Sequence, residues 1–193
     1  MNTTDNALMA RVSGGEIAKL AVLFERHHRA LFRYFVSMNR DRDLSEDLVQ
    51  DVFFRMLRYR VSYDPEKPFT AWMYQIARNA SLDQAKKNPA RGCRGQVVGI
   101  EEFTGQQPEP ASPAPGPEER AARGQNLALL RRALDRLPED KREILVLSRF
   151  QGMKYEDIAA VLGCEPGAIK VRVYRAMRAL ERIYFALEKE RAS

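Results

Sequence analysis

Residues Lys154–Met177 read KYEDIAAVLGCEPGAIKVRVYRAM, and this stretch decides the architecture. A short helix with Ile158, Ala159 and Leu162 on its inner side meets Gly163, whose missing Cβ permits a left-handed cap. Cys164 and Glu165 turn the chain, and Pro166 suits the first turn of a second helix. Helix, tight glycine-containing turn and helix make a helix-turn-helix, whose second helix enters the DNA major groove. On that helix Ile169, Val173, Ala176, Leu180 and Ile183 share an arc of roughly 80°, a core stripe. Lys170, Tyr174, Arg175, Arg178 and Arg182 lie opposite, within roughly 140° of one another. A solvated surface would explain such a face; a helix lying on phosphates and base edges explains it better. Lys170, Arg175 and Arg178 suit phosphates or guanine edges, and Tyr174 suits a thymine methyl or a phosphate. Arg172, nearer the core boundary, is expected in a backbone contact or an intraprotein pair.

The rest of the composition agrees with a polyanionic partner. The 193 residues carry a formal net charge of +6 with pI near 9.5, and 45 % are hydrophobic. Cys93 and Cys164 are far apart and read as reduced thiols. His27 and His28 are adjacent and point to different sides of a helix, so no metal site is expected. No apolar run reaches the ~20 residues of a membrane span. The expectation is a soluble cytoplasmic chain without metal or cofactor.

Between Pro89 and Arg123 lie six of the ten prolines and five of the eleven glycines. That composition reads as a flexible linker, polyproline-like around QQPEPASPAPGPEE. The expected order is a tail (1–15), a helical domain (16–88), the linker (89–123), a second helical domain (124–189) and a short tail (190–193). The class is all-α. The first domain offers helices near Glu16–Asn39, Leu44–Tyr59 and Phe69–Lys87; Asp43 with Glu46 resembles a capping box for the second of these. The other domain offers Glu118–Leu137, Glu139–Phe150, Tyr155–Leu162 and Pro166–Glu188, with Leu127, Leu130, Leu134 and Leu137 as a core stripe.

Two surfaces of the first domain stand out. In LSEDLVQDVFFRMLRY, Leu48, Val52, Phe53, Met56 and Leu57 form an apolar arc, while Asp47, Gln50, Asp51 and Arg58 lie opposite with Phe54 among them. A large apolar ring within a polar face points to a protein partner. In the next helix Trp72 reads as core, and Tyr74, Arg78 and Asn79 as candidates for contacting a nucleic-acid strand. The irregular loop RVSYDPEKP precedes them; aromatics beside cations are what single-stranded DNA binding uses.

Taken together, DLSEDLVQDVFFRML, FTAWMYQIARNASLDQAKK and the run from Leu134 to Leu180 resemble bacterial sigma factors of the extracytoplasmic-function group. They correspond to that family's regions 2.2, 2.4 and 4, in its order. The resemblance implies a protein that binds core RNA polymerase and directs promoter recognition, melting and initiation, with no enzymatic activity of its own. Asp47, Gln50, Asp51 and Phe54 would grip the β′ clamp helices, and region 4 would meet the β flap. Tyr63 in the loop, with Tyr74, Arg78 and Asn79, would capture the single-stranded minus-ten element. Lys170, Val171, Tyr174 and Arg175, with Arg178, would read the double-stranded minus-thirty-five element. The family commonly has Thr and Ser where this chain has Ala168 and Val171, so its promoter sequence is expected to differ. An anti-sigma partner is common in the family.

A helix-turn-helix regulator with a helical sensor or dimerisation domain would account for the C-terminal part alone. An enzyme acting on nucleic acid lacks a carboxylate cluster, a histidine metal set and a glycine-rich phosphate loop.

Overall fold

A computed structural model describes residues 3–87 and 116–192, and every regular element among them is helical. The first domain contains α1 (Asp5–Ser13), α2 (Lys19–Asn39), α3 (Arg42–Arg58), a 3-10 turn (Arg60–Ser62) and α4 (Phe69–Lys87). The second contains α5 (Pro117–Asp135), α6 (Glu139–Leu145), a π turn (Val146–Phe150), α7 (Tyr155–Leu162) and α8 (Pro166–Ala192). Cys93 and the polyproline-like stretch as far as residue 115 lie outside the described residues, and the end of that stretch, from Pro117, is the first turn of α5 instead.

Helix α1 replaces the expected N-terminal tail. The Thr4 side chain accepts a hydrogen bond from the Ala7 N–H, capping the helix, and Leu8, Met9 and Val12 are buried. These three join the core formed by Leu23, Leu31, Phe35, Leu48, Val52, Met56 and Met73. Asn6 closes the other side: its Nδ2 donates to the carbonyls of Pro65 and Lys67 at 3.1 and 2.9 Å, and its Oδ1 accepts from Phe69 N–H at 3.0 Å. One short amide thereby holds the loop before α4 and the first turn of that helix.

Between α2 and α3 the chain reverses within two residues. Arg40 takes a left-handed conformation (φ 58°) at the end of α2, and Asp41 caps α3 by accepting from Leu44 N–H at 2.9 Å. The cap is Asp41 rather than Asp43. Asp43 sits in the first turn, where its charge complements the positive end of the helix dipole.

In the second domain Gly163 adopts φ 64°, and the N–H groups of Gly163 and Cys164 both reach the Ala159 carbonyl. This is the expected turn of the helix-turn-helix, and only glycine enters it without strain. The inner stripe of α5 is Leu129, Ala133 and Leu134, continued by Leu137 just past its end, with Leu130 half-buried, so Leu129 takes the role expected of Leu127. α5 starts within the expected linker, and α8 runs through the expected C-terminal tail to Ala192.

The two domains pack against each other. On α4, Phe69, Ala71, Met73, Tyr74, Ile76, Ala77 and Ala80 are all buried. They spread over roughly 220° of the helix, too wide an arc for one neighbouring layer. One side meets α3 and the other meets α7, and the apolar core is contiguous through both halves. The expectation of two modules merely tethered missed this contact.

Candidate nucleic-acid interface

The outer face of α8 is a continuous exposed stripe. Lys170, Val171, Tyr174, Arg175 and Arg178 all face solvent, with Tyr174 65 % and Val171 48 % exposed. Ile169, Val173 and Ala176 are buried beneath them, which fixes the roll of the helix. Lys170 and Arg175 engage no acidic side chain among the described residues, whereas Arg178 pairs with Glu181 one turn on. Arg172 turns inward and its Nη1 lies 3.6 Å from Cys164 Sγ, the intraprotein contact expected of it.

On α3, Asp47, Gln50 and Phe54 are exposed, and Phe54 is 64 % accessible although Phe53 beside it is buried. Asp51 is half-buried and accepts from Arg55 Nε at 2.9 Å. Arg55 also donates to Asp83 Oδ2 at 2.8 Å, so it braces α3 against α4 and holds the Asp83 carboxyl below its ordinary range. Gln50 borders a groove of about 490 Å³ between α2 and α3. Phe24, Phe32 and Val49 give it an apolar lining and Arg33 and Arg42 a cationic one.

The residues expected to meet a single strand are placed less simply. Tyr63 is 5 % exposed, with Trp72 edge-on at 5.1 Å, and burial chiefly pushes its phenol up to about 12. As folded it supports the loop rather than facing solvent. Tyr74 is 3 % exposed and its hydroxyl donates to Gln151 Oε1 at 2.7 Å. Burial pushes this phenol well above its usual range, so it stays a donor. Arg78 is one-third exposed, and its Nε lies 3.1 and 3.3 Å from the two Glu143 oxygens. Of the four, Asn79 alone lies open to solvent.

These surfaces coincide with known family segments. The family model described as "Sigma-70 region 2" matches residues 23–90, and "Sigma-70, region 4" matches residues 127–180. The ECF RNA polymerase sigma factor SigL of Mycobacterium tuberculosis is 32 % identical over 89 % of this chain and 94 % of its own. The chain belongs to the sigma-70 family, in its extracytoplasmic-function group.

Among solved structures, this sigma factor is similar to CnrH in complex with the cytosolic domain of CnrY. The TM-score is 0.69 at 26 % identity, covering 94 % of this chain and 97 % of CnrH. It is also similar to the sigma factor RpoE bound to the anti-sigma factor NepR from Bartonella quintana. There the TM-score is 0.62 at 28 % identity, covering 84 % and 94 %. The region 2 match accounts for the N-terminal half that a helix-turn-helix regulator left unexplained.

Sequence reasoning missed Asn6 in this sigma factor. The signal was present: Thr4 precedes an apolar Leu8, Met9, Val12 stripe, a capped start followed by helical spacing. Asn6→Ala leaves two loop carbonyls and the Phe69 N–H without this partner. The expected cost is about 1–2 kcal/mol of stability, read from urea unfolding, with the loop Asp64–Pro68 becoming protease-sensitive first. Unchanged unfolding and cleavage would remove Asn6 from this role.

Proposed function

We propose that this sigma factor recruits core RNA polymerase to promoters through three surfaces. The exposed Phe54 ring with Asp47, Gln50 and Asp51 docks on the β′ clamp helices. The α8 stripe of Lys170, Val171, Tyr174, Arg175 and Arg178 lies in the major groove at the minus-thirty-five element, with the β flap on the same domain. Arg78, Asn79 and Tyr74 take the unpaired minus-ten strand, and Tyr63 shapes the loop beside it. The protein works in the cytoplasm with no catalytic activity or cofactor of its own; an anti-sigma protein is its expected inhibitor.

The observation that carries this reading is the α8 stripe: Lys170 and Arg175 without an acidic partner among the described residues, and an exposed tyrosine, on a helix whose roll is fixed by its buried side. Phosphate contacts set register and base contacts specify sequence. The direct test is run-off transcription with purified core polymerase, which is silent at every promoter without a sigma factor. Within it, Arg175→Ala is expected to cost about 1–3 kcal/mol of promoter recognition. The loss should appear as weakened protection of the upstream element alone. An unaffected footprint there would remove Arg175 from the reading set.

A further inference from the structure

The loop Tyr63–Pro68 is exposed from Pro65 to Pro68, yet its backbone is tied at nearly every residue. Asp64 closes the turn from within: its carbonyl accepts from Lys67 N–H and its Oδ1 from Glu66 N–H, both at 3.1 Å. Tyr63 and Phe69, on either side of the turn, are buried with their rings 6.5 Å apart. The carbonyls of Pro65 and Lys67, which an exposed turn would leave to water, point at the Asn6 amide instead. The same side chain accepts from Phe69 N–H, one of the donors that the first turn of α4 cannot satisfy by itself.

Asn6 can hold the loop because its own helix is pinned. Asp5 Oδ1 lies 2.7 Å from Arg26 Nη1 and its Oδ2 lies 2.8 Å from His27 Nε2, while Arg26 also donates to the Thr3 carbonyl at 2.9 Å. The His27 ring in turn lies 5.2 Å from the Phe69 ring. Helix α2 therefore fixes the first turn of α1, and α1 fixes the loop. Each link is a side chain on a helix, so the rigid part of the domain sets where the loop stands.

A loop that its ligand must first order weakens binding by the cost of that ordering, and a loop ordered beforehand does not. In a sigma factor that difference falls on one step. Phe54 on α3 and the stripe on α8 belong to other elements, so docking on polymerase and reading of the duplex do not use this loop. A separating strand does, at the moment when its bases have left the stack and the unpaired state is costly.

We propose that Asn6 is a positioning residue for strand capture: it holds the Tyr63–Pro68 loop in its receiving form, which makes α1 part of the promoter-opening machinery. This rests on the assignment of the Tyr63 loop to the minus-ten strand, and adds what keeps that loop ready.

The test uses the full-length chain with core polymerase and a promoter fragment selected from a random pool by the wild-type holoenzyme. Asn6→Asp is the informative variant. It keeps an acceptor for Phe69 N–H, and an acid in the first turn of α1 suits the helix dipole, but both donors to the loop carbonyls are gone. Asn6→Ala removes all three bonds; if it is unstable, Asn6→Asp decides alone. Each is assayed well below its unfolding midpoint. The rate at which permanganate-reactive thymines appear at the minus-ten element is expected to fall about tenfold, as if one backbone residue had to be ordered on binding. Retention on core polymerase and protection of the upstream element should match wild type. A merely destabilised domain would lose core retention along with opening, and that result would overturn the positioning role.

Lys67→Glu probes the reading underneath, because it reverses a charge at the exposed tip while only the backbone carbonyl of Lys67 meets Asn6. Slowed opening in Lys67→Glu with normal opening in Asn6→Asp would strike the positioning role alone. Normal opening in both would remove the loop from the strand-capture surface, and the positioning role with it.

Discussion

Replacing Phe54 by alanine and Asp47 by arginine is expected to abolish retention of the protein on immobilised core RNA polymerase, while its helical content and unfolding midpoint stay unchanged. Both side chains are exposed and neither contributes to the core, so the fold loses nothing. An exposed aromatic at an interface centre is the kind of residue whose truncation costs 2 kcal/mol or more, by a rough rule. Reversing an adjacent charge adds repulsion where attraction steered the encounter. Asp51 is the poorer target of the two acids. It partners Arg55, which also braces Asp83, so Asp51→Arg disturbs the α3–α4 packing as well as the surface. Core binding that survives the Asp47, Phe54 double substitution would move the docking surface elsewhere, and the groove beside Gln50 would be the first place to look.

Deleting residues 1–15 is the second large effect. A disposable tail could be trimmed without consequence, whereas loss of α1 uncovers the core around Leu23, Met56 and Phe69 and removes the Asn6 clasp. Leu8, Met9 and Val12 are fully or nearly fully buried, and each such side chain contributes on the order of 1.5–3 kcal/mol. Their joint loss is comparable to the whole stability of a small domain. The truncated chain should be insoluble, or should show a flattened urea transition for the first domain. A sharp, unshifted transition would show that α1 is dispensable.

The difference between these two cases says what a sequence makes visible. The helix-turn-helix was legible because every signal for it is local: Gly163 caps, Pro166 starts, and one apolar stripe repeats under one cationic stripe. Phe54 was legible for the same reason, as a ring out of phase with its own helix. α1 was missed because nine residues make a weak pattern, and its helix is stabilised by the core it covers rather than by propensity. Tyr74 and Arg78 were read as free because their partners, Gln151 and Glu143, lie 77 and 65 residues away. No spacing rule reaches that far, and the arc of α4 that gives it away looked like a mixed surface. The strand-facing reading was assembled from residue types, and residue types do not reveal who else is using them.

The π turn at Val146–Phe150 makes this part of the protein intolerant of a length change. There Gln151 N–H reaches back five residues to the Val146 carbonyl, one residue more than a regular helix allows. Excising one residue to restore ordinary helical winding would swing Gln151 by about 100° and carry it away from the Tyr74 hydroxyl. A chimera that borrows region 4 from a relative lacking that extra residue would leave the buried Tyr74 hydroxyl without its acceptor.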